Sequence, residues 1–185
     1  MKSFLIKTID ELVRGMAYWI AYTCAVNRIK FTEAEAVGEM IKILQTKMPV
    51  TVKIEREVYY KSVCPTIKGN KRADLGIFID GDCKCLIEVK LSENSNGGFK
   101  EDIKKLSQVK QANCDIDCYV ILLYRNSCSI DEPKTFVAVD GKALKRTLDV
   151  KIGNVNSKIR VRRTSNAMCS PTASKMKKVV CFEIL

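Results

Sequence analysis

The sequence predicts an α/β protein in which helices cover a mixed β-sheet. Two N-terminal segments carry apolar residues at helical spacing. Several short segments rich in β-branched and aromatic residues follow them, some with alternating apolar and polar positions. The order is helix, three strands, helix and strand, followed by a β-rich extension, and this order is typical of an α/β sandwich.

Two helices are predicted near the start of the chain. Residues 4–28 form the first, and the second begins at Thr32, which forms a capping box with Glu35. Pro49 ends the second helix. The apolar stripe of the first contains Leu5, Ile9, Leu12, Met16, Trp19 and Ile20, and that of the second contains Ala34, Val37, Ile41, Leu44 and Met48.

Strands and one further helix are predicted in the rest of the chain. Residues 118–124 form a continuous apolar run that suits a central strand covered on both faces. Residues 50–60 alternate, with Val50, Val52 and Ile54 expected to face inward. The other strand candidates are residues 73–79, 85–90, 135–139, 158–163 and 179–185, and a helix is predicted over residues 100–112.

One domain is expected over the whole chain, because no linker or repeat divides its 185 residues. It consists of an N-terminal helix in residues 1–30, an α/β core in residues 31–139 and a basic, β-rich extension in residues 140–185. The apolar run at residues 16–26 is interrupted by polar residues and is too short to cross a bilayer. Because the start of the chain also lacks the form of a signal peptide, a cytoplasmic protein is expected.

The composition excludes several kinds of enzyme. The chain has no histidine, which rules out Ser-His-Asp and Cys-His catalysis and histidine-ligated zinc. Its nine cysteines include no CxxC pair, so we expect most of them to be reduced thiols packed in the core. The spacings of Cys83 with Cys85 and of Cys114 with Cys118 fit no usual zinc or iron–sulfur pattern. Hydrolytic chemistry would therefore depend on Asp, Glu, Lys and an oxygen-bound metal.

The positive charge is concentrated in the last quarter of the chain. The whole chain has a formal net charge of +11 at pH 7. Residues 141–185 contain 11 Lys and Arg against two acidic residues, a net of +9, whereas residues 1–140 contain 21 against 19, a net of +2. A near-neutral body with a basic end favours nucleic acid as a partner over a face that is merely solvated. The dense run of Arg160, Arg162 and Arg163 makes these residues candidate nucleic-acid contacts.

The most informative feature is a pair of strand-like segments that carry two carboxylates and a lysine. In the first, the pleat puts Asp74 on the face opposite the apolar positions, and in the second it does the same for Glu88 and Lys90. In the sequence, Gly81 lies midway between Asp74 and Glu88. A three-residue loop centred on it would therefore place the carboxylates opposite each other. Gly76 on the same face would leave room for a ligand. The pattern predicts a divalent-metal site with a lysine at its edge.

This arrangement of Asp74 and the run Glu88-Val89-Lys90, followed by a helix and an apolar strand, resembles the PD-(D/E)xK nuclease superfamily. The superfamily includes restriction endonucleases and many DNA-repair and phage-defence nucleases. The resemblance covers residues 31–139, with Ala73 where the motif has proline, a common variation. It implies a restriction-endonuclease-like α/β/α sandwich and metal-dependent hydrolysis of DNA phosphodiester bonds.

The resemblance also implies a role for each residue of the motif. Asp74 and Glu88 would bind one or two Mg²⁺ or Mn²⁺ ions with help from the carbonyl oxygen of Val89. Lys90 would position or polarise the attacking water and stabilise the phosphate, either as a fixed charge or, if its pKa falls, as a base. The alternative without catalysis is a surface aspartate and a cross-strand Glu–Lys pair of little energetic value.

Many members of the superfamily add a glutamate from the helix before the strands. Glu33, Glu35 and Glu39 are the candidates here. At about 100° per residue, Glu33 falls inside the arc of the apolar stripe, so we select it as a fourth catalytic residue. Negative charge in a first turn also suits the helix dipole, which leaves a purely structural explanation open.

Other basic residues are candidate phosphate contacts. Lys71 and Arg72 belong to a basic loop just before the first acidic strand, and Lys105 lies on the helix over residues 100–112. For Lys105, a solvated helix face is the competing explanation.

We expect a DNA endonuclease of the restriction, defence or repair type, acting on double-stranded DNA, with a homodimer that cuts both strands as one arrangement. The first alternative is a nucleic-acid-binding protein that has a nuclease-like fold without catalysis, although an intact Asp–Glu–Lys set argues against it. The second is a protein-interaction module whose basic end binds an acidic partner, which salt-dependent retention on DNA would distinguish.

Overall fold

The computed structural model describes residues 2–23, 30–91, 96–124, 147–167 and 177–185. No helix in these ranges is long and apolar enough to cross a membrane. The described helices are α1 (Lys2–Ala21), α2 (Glu33–Lys47), α3 (Tyr60–Val63) and α4 (Asn96–Ala112). The described strands are β1 (Lys53–Tyr59), β2 (Arg72–Ile79), β3 (Asp82–Leu91), β4 (Asp117–Tyr124), β5 (Thr147–Ile152), β6 (Val155–Ala167) and β7 (Lys177–Ile184).

The seven strands form one mixed sheet in the order β1-β2-β3-β4-β7-β6-β5. β3 and β4 are parallel, and the other neighbouring pairs are antiparallel. α4 lies between β3 and β4 in the chain, because parallel neighbours need a crossover longer than a hairpin. The prediction of a mixed α/β protein is confirmed.

Helices cover both faces of this sheet. On one face, α1 and α2 pack over apolar side chains that include Ile77 and Ile87. On the other face, α3 and α4 pack over side chains that include Leu86 and Val120. β4 is buried at every residue except Tyr124, as its continuous apolar run predicts.

The second helix begins at the residue that the sequence predicts. The Thr32 hydroxyl accepts a hydrogen bond from the Glu35 N–H at 3.2 Å, and Glu35 Oε2 accepts one from the Thr32 N–H at 2.6 Å. The predicted apolar stripe was wrong at Ala34, which is exposed, because α2 packs against α1 as well as the sheet. The buried residues of α2 are Ala36, Val37, Met40 and Leu44.

Some predicted elements differ from the structure. β1 begins at Lys53, and Val50 is fully exposed, because a turn closed by the Val52 N–H and the Pro49 carbonyl precedes the strand. The sequence prediction has no counterpart of α3 or β5. The predicted strand over residues 135–139 and the last part of the first predicted helix, residues 24–28, lie outside the described residues.

The described cysteines are free thiols, in agreement with the expectation of reduced side chains. Cys64, Cys85, Cys118 and Cys181 are buried, Cys83 is half-buried and Cys114 is exposed.

Candidate active site

The hairpin between β2 and β3 sets the position of the two acidic residues. Its loop has two residues, Asp80 and Gly81, whose φ angles of 54° and 85° suit a type I′ turn. The expected three-residue loop was therefore wrong. A register shift after Ile77 compensates, so that Leu75 pairs with Ile87. Continuing this register by one residue puts Asp74 opposite Glu88, as the three-residue loop would have done.

Asp74 lies close to Glu88 and is tied to the next strand. Its Oδ2 accepts a 2.7 Å hydrogen bond from the backbone N–H of Val89. Its negative charge is also one of the causes that raise the pKa of Glu88. Ile77 and Ile87 are fully buried on the α1–α2 face, while Glu88 contacts α3 and α4 on the opposite face.

Glu88 is a buried carboxylate with two donors on one oxygen. Its Oε1 accepts a 2.6 Å hydrogen bond from the Tyr60 hydroxyl and lies 3.0 Å from Lys105 Nζ. Burial, followed by the charges of Asp102 and Asp74, raises the pKa of Glu88 from 4.5 to about 8. The lysine and the hydroxyl therefore compensate its negative charge incompletely.

Lys90 and Lys105 bind opposite oxygens of one buried aspartate, Asp102. Lys90 Nζ lies 3.1 Å from Asp102 Oδ2 and 3.7 Å from Glu33 Oε1, and Lys105 Nζ lies 2.5 Å from Asp102 Oδ1. Burial acts to lower the pKa of each lysine, but the neighbouring carboxylates outweigh it and raise both pKa values. Lys90 is therefore held as a fixed positive charge.

These contacts join side chains from five elements into one group, which we call the carboxylate–lysine cluster. α2, β2, β3, α3 and α4 each contribute to it. Its members are Glu33, Tyr60, Asp74, Glu88, Lys90, Asp102 and Lys105.

The donor chemistry of the cluster fits a hard divalent cation. Four carboxylates face two ammonium groups, and carboxylate oxygen is the ligand that Mg²⁺ and Mn²⁺ prefer. Oδ2 of Asp102 is buried without a well-directed hydrogen bond, although Lys90 lies nearby. Among the described residues, no three acidic or cysteine side chains already converge as a metal site. Lys105, which bridges Glu88 and Asp102, accounts for this separation.

Sequence reasoning selected some members of the cluster and missed others. Glu33 was selected from the helix glutamates, and it lies beside Lys90, whereas Glu35 caps its helix and Glu39 pairs with Lys42 at 3.1 Å. Lys105 does not lie on a solvated helix face. Its side chain is only 12% exposed and is buried within the cluster.

Tyr60 and Asp102 were missed. Asp102 precedes Leu106 by four residues and Val109 by seven, so it is an acidic residue on the apolar stripe of α4, the same signal that selected Glu33. Tyr60 is 28 residues from Glu88 and has no comparable local signal.

The expected space beside Gly76 is filled. A Cβ atom on Gly76 would lie 2.6 Å from Val58 Cγ2 and 2.9 Å from the Phe78 ring. The interpretation of Gly76 as room for a ligand was therefore wrong, because the glycine makes room for a side chain of the neighbouring strand β1.

Lys71 directly precedes β2 and Arg72 is its first residue, so both lie close to Asp74 in the chain and both are exposed. Lys71 Nζ is 2.8 Å from Glu101 Oε1 on α4, one residue before Asp102. Arg72 binds Glu57 and the Tyr59 hydroxyl, and its guanidinium lies 4.4 Å from the centre of the Tyr59 ring. We call Lys71 and Arg72 the basic rim.

The arginines of β6 lie on the other side of the sheet. Arg162 and Arg163 reach Asp10 of α1 at 3.3 and 4.0 Å, and Arg160 donates to Glu183 at 2.8 Å. α1 covers the face opposite the carboxylate–lysine cluster, so the two groups are separated by the sheet.

Comparisons with known proteins assign no family to the chain. The sequence matches no protein-family model, and no curated protein or solved structure gives a significant match. Function must therefore be argued from the chemistry of the cluster itself.

Proposed function

We propose that the protein is a metal-dependent nuclease with a restriction-endonuclease-like fold, in which Asp74, Glu88 and Lys90 carry the reaction. The observation that supports it most directly is the 2.7 Å hydrogen bond from the Val89 N–H to Asp74 Oδ2, which holds Asp74 beside the run Glu88-Val89-Lys90. The order α2, β1, α3, β2, β3, α4 and β4, with β4 parallel to β3, is compatible with the resemblance and differs from the predicted order by the short helix α3.

Asp74 and Glu88, with the carbonyl oxygen of Val89, would hold Mg²⁺ or Mn²⁺. Such an ion supplies charge neutralisation at the phosphate and lowers the pKa of a bound water. The protein's contribution is to hold the two carboxylates together: the Val89 N–H orients Asp74, and the Tyr60 hydroxyl orients Glu88.

Lys90 would stabilise the negative charge of the phosphate and orient the attacking water. Asp102 and Glu33 fix its ammonium group in position and keep it protonated. A raised pKa favours the fixed-charge role over that of a general base. Glu33 and Asp102 therefore act through Lys90 as positioning residues.

DNA would approach the cluster past the basic rim. Lys71 and Arg72 are exposed, lie at the start of β2 just before Asp74, and carry the positive charge that contacts a phosphate backbone. The β6 arginines are weaker candidates for this role, because they lie across the sheet from the cluster, on the face that α1 covers.

A nucleic-acid-binding protein without catalysis is the second candidate. The observation in its favour is that the carboxylates are engaged by lysines and do not converge as a ready metal site among the described residues. In that case the cluster is a structural ion network. Substitution of its residues then changes the stability of the protein, and there is no DNA cleavage to lose.

The test is incubation of the protein with supercoiled and linear double-stranded DNA, with Mg²⁺, with Mn²⁺ and with excess chelator. We expect cleavage with either ion and none with chelator. Glu88→Gln, which removes the charge and keeps the shape, should bind DNA without cutting it. Cleavage that persists in chelator contradicts the metal mechanism, and salt-dependent binding without cleavage under every condition favours the second candidate.

A further inference from the structure

We propose that Lys105 is a displaceable counter-ion: its ammonium group bridges Glu88 and Asp102, and it must move off Glu88 before Glu88 can bind a divalent cation together with Asp74. The inference deepens the proposed function, because it rests on Mg²⁺ or Mn²⁺ as the ion of this site. It concerns how the site opens and leaves the reaction itself unchanged.

The geometry of Lys105 carries the proposal. Its Nζ lies 3.0 Å from Glu88 Oε1 and 2.5 Å from Asp102 Oδ1, so that one cation bridges carboxylates from β3 and α4. The side chains of Glu88 and Asp102 are 3% and 6% exposed. The Lys105 ammonium is thus one positive charge that compensates two buried carboxylates. A bound metal ion compensates carboxylates in the same way.

Charge balance gives the displacement a driving force. Asp74 lies beside Glu88, and Glu33 shares Lys90 with Asp102, so two lysines serve four carboxylates. A divalent ion in place of the Lys105 ammonium would bring one further positive charge to these buried carboxylates.

A second position for the lysine exists on its own helix. Glu101 precedes Lys105 by four residues, a spacing at which side chains on one helix meet. The hydrogen bond from Lys71 is the largest cause that lowers the pKa of Glu101, and the charge of Lys105 is the smallest. Glu101 also binds Lys71 of the basic rim, so a lysine that swings out would join the exposed surface where DNA phosphates are expected.

The competing explanation is a permanent ion pair. A buried lysine between two carboxylates can simply hold α4 on the sheet, and its removal would then leave uncompensated charge and lower stability. The two explanations differ in one measurable respect. A displaceable counter-ion competes with the metal, whereas a permanent pair does not.

The experiment compares Mn²⁺ binding by the wild-type chain, Lys105→Met and Lys110→Met, using titration calorimetry of full-length protein. Lys110 is the matched control, because it is another partly buried α4 lysine, 3.7 Å from Asp117 and outside the cluster. We expect Lys105→Met to bind Mn²⁺ about tenfold more tightly than wild type, which corresponds to about 1.4 kcal/mol. Lys110→Met should bind as wild type does. Equal or weaker binding by Lys105→Met overturns the proposal.

A second measurement uses the wild-type chain and does not depend on the folding of a variant. Acetylation of lysines with acetic anhydride is followed by mass spectrometry, with and without saturating Mn²⁺. Lys105 should react slowly in the metal-free protein and several-fold faster with Mn²⁺, while Lys110 stays unchanged. A Lys105 rate that does not respond to Mn²⁺ overturns the proposal even if Lys105→Met does not fold.

DNA cleavage is read separately, so that the two proposals can fail independently. Cleavage by wild type together with unchanged Mn²⁺ affinity in Lys105→Met overturns the counter-ion and leaves the nuclease. Tighter Mn²⁺ binding by Lys105→Met without cleavage by any form supports the counter-ion and overturns the nuclease. Failure of every form to bind Mn²⁺ overturns the counter-ion together with the metal site.

Discussion

Tyr60 donates a 2.6 Å hydrogen bond to Glu88, and both side chains are buried. Tyr60 opens the short helix α3 and Glu88 lies in β3, so the bond joins the apolar core beneath α3 and α4 to the candidate site. Burial, followed by the charge of Glu88, raises the pKa of Tyr60 well above its usual range, and the phenol therefore stays protonated as a donor. Glu88 is held in one orientation by a group that does not titrate near neutral pH.

Replacement of Tyr60 by phenylalanine should loosen Glu88 without disturbing the core. The ring remains, and the cost to the free energy of unfolding should be about 1 kcal/mol, the usual net value of one hydrogen bond. Cleavage should fall, because the hydroxyl no longer orients the carboxylate. Tyr119→Phe is the control: Tyr119 is equally buried, but its hydroxyl has no hydrogen-bond partner among the described residues, so its removal should cost little. Urea unfolding and Mg²⁺-dependent cleavage rates of both variants decide the matter. Equal effects of the two substitutions would contradict a specific role for Tyr60.

The pH dependence of stability should report Glu88. Its pKa is about 8 in the folded protein and 4.5 ordinarily, so the folded state holds a proton that the unfolded state releases. The stability that this proton contributes is fully present below pH 4.5 and is lost as pH rises to about 8. In excess chelator we therefore expect the Tm to decline between pH 5 and pH 8.

Glu88→Gln removes the titrating group and should flatten that decline. Added Mg²⁺ should also reduce it, because an ion that binds the carboxylate form replaces the proton. Thermal unfolding followed by circular dichroism at each pH measures both effects. An equally steep decline in Glu88→Gln would assign the pH dependence to another group.

The three residues of the motif should be individually essential for cleavage. Asp74→Ala, Glu88→Ala and Lys90→Ala should each reduce the rate by about 10²–10⁴-fold or more, since each removes a charge at the reacting phosphate. DNA binding should survive in Lys90→Ala.

Lys84→Ala is the control. Lys84 lies on the same strand but at its hairpin end, outside the cluster, and its Nζ is 2.9 Å from Asp82 Oδ2. Single-turnover cleavage with saturating Mg²⁺ is the measurement, and full activity of any of the three variants would end the proposed mechanism.

The sequence was most informative where the alternation of side chains along a strand determines which face of the sheet each residue occupies. Alternation put Asp74 and Glu88 opposite each other, and the register of Leu75 with Ile87 agrees. The loop length was wrong, because a type I′ turn with a bulge and a three-residue loop produce the same parity further along the hairpin.

The rest of the cluster depends on contacts between distant segments. Tyr60 reaches Glu88 from a short helix that has no periodicity, and Lys105 meets Glu88 because α4 crosses over the sheet. Gly76 shows the same limit, since its role depends on Val58 of a neighbouring strand. Side-chain pairing across elements is a property of the packed structure, and local pattern does not determine it.

Gly76→Ala tests how tightly β1 and β2 pack. The new methyl group would lie 2.6 Å from Val58 Cγ2, so a buried side chain must move, at a cost of about 1–3 kcal/mol. Gly38→Ala is the control, because a methyl group on this helical residue meets nothing within 4 Å and improves helix propensity. Urea unfolding should show a loss for the first and a small gain for the second. A neutral Gly76→Ala would mean that Val58 has room to shift.

The last prediction locates the DNA-binding surface. The sequence predicts both Lys71 with Arg72 and the arginines Arg160, Arg162 and Arg163 as nucleic-acid contacts. We favour Lys71 and Arg72, because they lie on the same side of the sheet as the cluster. Replacement of Lys71 and Arg72 by alanine should weaken binding to all sequences alike. It should also flatten the salt dependence by about one unit of slope per lost phosphate contact.

Arg160→Ala serves as the comparison, because Arg160 is 44% exposed and its loss leaves the Asp10 pairs intact. Fluorescence anisotropy with a labelled duplex across a salt series measures both variants, and Arg160→Ala should leave affinity and slope unchanged. The opposite result would put DNA on the α1 face of the sheet. The phosphate backbone would then lie on the far side of the sheet from Glu88 and Lys90, and a nuclease reaction at the cluster would lose its substrate path.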